Sequence, residues 1–94
     1  MTMTIKQKTA FYGKFLDQYS AGMLERLIEK HNEKRPWTGE SPFYLYEQLR
    51  EKMLFFENAM ENNDLVLARK LVFDIGNFSW MILDRLEMLA EVKG

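Results

Sequence analysis

Apolar residues recur at helical spacing along almost the whole chain. Phe11, Phe15, Tyr19, Met23, Leu27 and His31 fall one turn apart, and Leu16, Leu24 and Ile28 widen that stripe. The spacing predicts one long helix, or two abutting ones, over residues 9–33. Ser20-Ala21-Gly22 is its expected kink, because Gly weakens a helix interior by roughly 1 kcal/mol. Pro36 ends the segment by disfavouring helical geometry at Arg35. Ser41-Pro42 then reads as an N-cap followed by a first-turn proline. It opens a second helix over 42–62, with the stripe Leu45, Leu49, Met53, Phe56 and Met60. After the polar turn Asn62-Asn63-Asp64, with Asn63 or Asp64 as cap, a third helix covers 65–92. Its stripe is Leu67, Leu71, Ile75, Phe78, Ile82, Leu86 and Leu89. Strand alternation and hairpin dipeptides are nearly absent. The expected fold is therefore all-α and a single domain over 1–94, with residues 1–10 as an N-terminal extension. The short turn forces the last two helices into an antiparallel hairpin, and the first helix covers its open side, giving a bundle of three to four helices.

The third helix is apolar on more than one side, since Val72, Phe73, Trp80 and Met81 lie off its main stripe. A helix apolar on two sides in so small a domain suggests a subunit interface, so a homodimer or higher homo-oligomer is expected. In the middle of this helix stands Asp74, with Asn77 three residues on and on the same face. A lone carboxylate facing a core costs several kcal/mol unless it is paired, protonated or bound to a cation. The partner of Asp74 is the central question this sequence poses.

The 94 residues suffice for one domain, and 47% hydrophobic residues exclude a disordered tail. A net charge of -1, with both signs interspersed, argues against DNA, RNA or an anionic membrane as the main partner. The chain has no Cys, which excludes disulfides, thiolate catalysis and Cys-based zinc sites. No apolar run approaches the ~20 residues that cross a bilayer, and Met1 to Lys8 lacks the apolar stretch of a signal peptide. A cytoplasmic protein is expected.

Several residues are candidates for chemistry. Glu47, Glu51 and Glu57 on the second helix, with Asp74 opposite, could converge on a divalent cation. Glu47 and Glu51, however, each sit two residues from the apolar stripe and point to a solvated rim. His31, the single His, has no Ser or Cys partner in an evident elbow, so a packing or capping role is expected. Trp37 either plugs a core end or offers its ring to a planar ligand. Lys30, Lys34 and Arg35 could bind phosphate, but equally suit a helix C-terminus. There is no Gly-rich phosphate loop and no dinucleotide fingerprint. The seven Met residues read as core filling.

One set of residues resembles a known family. Met23-x-x-x-Leu27, Lys30-His31-Asn32-x-Lys34, Trp37 and Tyr44-Leu45-x-x-x-Leu49 form its first part. Glu57-x-Ala59-Met60, the turn ending in Asp64, and Asp74-Ile75-x-Asn77-Phe78-x-x-Met81-Ile82 complete it. The pattern, over about Met23 to Leu86, resembles the MazG-like family, the all-α nucleoside triphosphate pyrophosphatases. Active members carry Glu-x-x-Glu on one helix and Glu-x-x-Asp on the next, four acids that hold magnesium against the triphosphate. The resemblance places the first pair on Lys52 and Phe55 and the second on Leu71 and Asp74, so only Asp74 keeps a ligand oxygen.

That degeneracy implies a non-enzymatic relative with no cofactor, acting as an interaction, regulatory or nucleotide-sensing module. Lys52 is expected to stand in for the metal and pair with Asp74 within about 4 Å, a salt-bridge distance, while Phe55 and Leu71 fill the former cavity. Lys52→Met should then cost a few kcal/mol. The alternative is an active magnesium-dependent pyrophosphohydrolase using Glu47, Glu51, Glu57 and Asp74, with Glu51 and Asp74 the best metal ligands. A third reading keeps a nucleotide pocket lined by Lys34, Trp37 and Asn77.

Overall fold

A computed structural model describes residues 2–30 and 37–93, with side chains through residue 91. His31, Lys34, Arg35 and Pro36, singled out above, lie outside the described residues. The described residues are helical and contain no strand. Three long helices, α1 (Ile5–Lys30), α2 (Pro42–Glu61) and α3 (Leu65–Lys93), are accompanied by a single 3-10 turn at Trp37–Gly39.

Local signals set the helix ends. α1 begins four residues earlier than the apolar stripe suggests, because Thr4 and Gln7 form a reciprocal capping box. The Gln7 amide donates to Thr4 Oγ1 at 3.1 Å and the Thr4 amide to Gln7 Oε1 at 2.9 Å. α1 then runs without interruption through Gly22. Ser41 caps α2 by accepting from the Tyr44 amide at 3.1 Å, with Pro42 in the first turn, as expected. The α2–α3 turn is a Schellman motif: Asn63 takes the left-handed conformation (φ 56°), its amide donates to Met60 O, and the Asp64 amide donates to Ala59 O. Asp64, rather than Asn63, caps α3 by accepting from the Leu67 amide.

α2 and α3 form the antiparallel hairpin. Ala59, Ala68 and Leu71 are its buried centre, with Phe56 packed against them. Small residues on both helices let the backbones approach, and Leu45 is 1% exposed nearer the start of α2. α1 departs from the expected bundle. It meets α3 through Tyr19, Gly22, Met23 and Arg26, around Val72–Asn77. A Cβ on Gly22 would lie 2.6 Å from Phe73 Cε2, and one on Gly76 would lie 2.8 Å from Tyr19 Cζ. The crossing therefore depends on a glycine from each helix.

The shape follows from this crossing. At 1.5 Å per residue, α1 and α3 are about 39 and 44 Å long. The molecule measures 47 × 45 × 22 Å, two long dimensions and a short one, as expected for helices that cross rather than run side by side. Phe11 and Phe15, predicted to be core, are exposed as a result. Part of the α3 surface is used within the chain: Leu71 and Ala68 bury against α2, whereas Phe73 and Asn77 bury against α1. This part of the two-sided apolarity of α3 has an intramolecular explanation, whereas Leu67, Val72, Leu86 and Leu89 of the same helix remain exposed.

Candidate functional site

Where α1, the 3-10 turn, α2 and α3 come together they line a half-open cavity of about 520 Å³, within the range typical of small-molecule sites. The end of α1 contributes Arg26, Leu27 and Lys30; the 3-10 turn contributes Trp37, with Glu40 just beyond it. Tyr44, Leu45, Gln48 and Lys52 lie one turn apart along the inner side of α2, and Asp74, Asn77, Phe78 and Met81 do the same on α3.

Asp74 is buried, 6% exposed, as its setting demanded. Its partner is Arg26, and the expected pair with Lys52 is not the one formed. Arg26 Nε donates to Oδ1 at 2.9 Å and Nη2 to Oδ2 at 2.8 Å, a bidentate fork that occupies both carboxylate oxygens. Nη1 donates to Glu29 at 2.6 Å. The hydrogen bond to Asp74 pushes the Arg26 pKa up, and the attraction of both carboxylates adds to this against the opposing effect of burial. Geometry explains the choice of partner: α1 crosses α3 at Asp74, and a guanidinium matches a carboxylate with two parallel bonds where an ammonium offers a single point charge. Lys52 lines the same cavity, its Nζ 5.7 Å from the centre of the Phe55 ring.

Asn77 is likewise committed to the fold. Its Nδ2 donates to Met23 O at 2.9 Å, and its Oδ1 accepts from Trp80 Nε1 at 2.9 Å. It ties α1 to α3 and orients Trp80, against which Trp37 packs edge to face at 5.1 Å. Trp37 anchors on Trp80 and lines the cavity. Arg85, also buried, donates to Thr38 O and secures the 3-10 turn to α3. Tyr19 donates its hydroxyl to Val72 O at 3.0 Å, and burial pushes its pKa up.

The other family-implied positions do not converge. Leu71 is buried in the α2–α3 centre, as packing. Phe55 is 45% exposed and does not fill the cavity; Phe56 takes the inward position. Glu47, Glu51 and Glu57 are exposed on α2. Among the described residues no group of three or more His, Asp or Glu could hold a metal ion. Magnesium requires several oxygen ligands in near-octahedral geometry. The oxygens of Asp74 are engaged by Arg26, and Lys52, Phe55 and Leu71 supply none. The residues present do not fit the ion.

Sequence reasoning missed Arg26, Tyr44 and Gln48. Arg26 had a legible signal: it falls three residues after Met23 and seven after Tyr19, a charge inside an apolar stripe, as Asp74 is. Comparison with protein-family models, with curated proteins and with solved structures finds no match for this chain. No described helix is long and apolar enough to cross a membrane.

Proposed function

We propose that this chain is a non-catalytic, MazG-like helical module that binds a planar anionic ligand of the nucleotide class without magnesium. It acts in the cytoplasm with a second copy of itself as partner. The observation that carries the reading is the Arg26–Asp74 fork. It supports a carboxylate neutralised by a fixed guanidinium where the resemblance would set a metal. The cavity wall supports the ligand class. Trp37, Tyr44 and Phe78 offer ring faces or edges for a base, and Lys30 and Lys52 bring ammonium groups to the same wall, the Arg26 guanidinium being engaged by Asp74 and Glu29. Stacking on an aromatic ring contributes about 1–3 kcal/mol per base, and cationic side chains supply the phosphate recognition.

Titration calorimetry and thermal shift with nucleoside mono- and triphosphates, each with EDTA and with magnesium, test this. Saturable binding of equal strength in both buffers is expected, weakened by Trp37→Ala, with no pyrophosphate released. Magnesium-dependent pyrophosphate release that disappears in Asp74→Ala would overturn the reading in favour of the pyrophosphohydrolase.

A further inference from the structure

The first half of α1, Ile5–Leu16, leaves the crossing and carries its large apolar residues into solvent. Ile5 is 83% exposed, Phe11 50%, Tyr12 61%, Phe15 53% and Leu16 61%. Phe11 and Phe15 continue the face that Tyr19 and Gly22 turn to α3, since Phe15 lies one turn from Tyr19 and Phe11 one turn further. This stretch is the free half of a 26-residue helix anchored only at its other end, and its described side-chain contacts are local: the Thr4–Gln7 box, Thr9 with the Ile5 carbonyl, and Phe11 with Tyr12 and Phe15. Nothing described in the chain covers these side chains.

Area identifies the kind of cover. A folded monomer of this mass, 11.2 kDa, exposes about 5,700 Å². This chain exposes 7642 Å². The excess, about 1,900 Å² per copy, is well above the ~800 Å² that each partner gives to an ordinary interface and falls in the obligate homodimer range.

Charge identifies the surface that receives it. Between Ile5 and Leu16 the chain has Lys6, Lys8 and Lys14 and no acid. Lys8 lies in the apolar stripe itself, three, four and seven residues before Phe11, Tyr12 and Phe15. The outward row of α2 is its complement. Phe43 and Leu54, 81% and 62% exposed, share that side with the exposed Glu47, Arg50, Glu51, Glu57 and Glu61, four acids against one base.

We infer that two copies of this chain exchange their α1 arms, residues Ile5–Leu16 of each lying along the outward Phe43–Leu54–Glu61 row of α2 in the other. The inference rests on the second-copy part of the proposed function and not on its ligand. It gives the α2 acids a role as electrostatic guides for the arm, in place of the metal ligation they do not support. A reciprocal exchange buries the same surface twice and closes on itself.

Sedimentation equilibrium of the full chain is expected to give twice the 11.2 kDa chain mass. Phe15→Lys should weaken association by roughly tenfold or more, the loss of a buried aromatic side chain. Lys8→Glu or Glu47→Lys should each weaken it by roughly fivefold, with the two together restoring much of it. The chain has no native Cys, so Tyr12→Cys protein mixed with Leu54→Cys protein should form an inter-chain disulfide more readily than either alone. A monomer at all concentrations would overturn both the inference and the second-copy reading. A dimer indifferent to Phe15→Lys, or without the mixed disulfide, would overturn the arm exchange alone.

Discussion

The α2–α3 hairpin and the α1 clasp are held together in different ways. The hairpin is local: a Schellman turn and the Asp64 cap set it, and Ala59, Ala68 and Leu71 fill it with apolar contact. α1 is non-local and joined at one crossing, where polar groups dominate. Arg26 grips Asp74, Asn77 grips the Met23 carbonyl and Tyr19 grips the Val72 carbonyl. An apolar seam tolerates sliding and partial repacking. A crossing built on directional bonds and two glycines admits one geometry. The clasp therefore has more to lose from a single substitution, and the cavity it walls depends on it.

The sharpest way to separate the two regions is Arg26→Met, which leaves Asp74 buried without its cation. A loss of about 3 kcal/mol in urea unfolding is expected, while Lys52→Met, which leaves the fork intact, should cost far less. Equal losses for the two variants would return Asp74 to Lys52. Next in size, Gly22→Val drives a branched side chain into the Phe73 ring and should cost about 2 kcal/mol. In native-state hydrogen exchange the loss should appear in the second half of α1, with the Ala59–Leu71 region still protected. Uniform loss across all three helices would show that clasp and hairpin unfold as one.

The smallest effect concerns pH. Burial raises the Tyr19 pKa above the ordinary phenol value of 10.0. As pH rises past that value the unfolded chain releases its proton first, so the contribution of Tyr19 is complete below about pH 10 and is lost as pH rises through the folded value. Stability should decline in that alkaline range, and Tyr19→Phe should flatten the decline. An unchanged slope would remove Tyr19 from the clasp.

Much of the hairpin was legible beforehand. Ser41-Pro42, the Asn62-Asn63-Asp64 turn and the Leu45 and Leu71 positions act over a few residues, and each did what its local chemistry dictates. The burial of Asp74 was legible too, because its helix leaves it few polar neighbours with which to share a wet face. Arg26 stood out as a charge in an apolar stripe, but its pairing with Asp74 did not. Lys52 and Arg26 both belonged to candidate neighbours, and only the angle at which α1 crosses α3 selects between them. Asn77 illustrates the same limit: an amide proposed for ligand contact lines the cavity, but its bonds to Met23 and Trp80 depend on the crossing.

Taken alone, the order of residues settled the all-helical class, the Ser41 cap of the second helix, the antiparallel pairing of the last two helices and the need to neutralise one inward acid. These depend on hydrogen bonds and apolar spacing within a turn or two. The tertiary structure decided that the first helix crosses rather than lies alongside, that a guanidinium from it clasps Asp74, and that its leading half is left uncovered. Helical periodicity records which side of a helix is apolar, but carries no record of the crossing angle or of how far along its length a neighbour reaches.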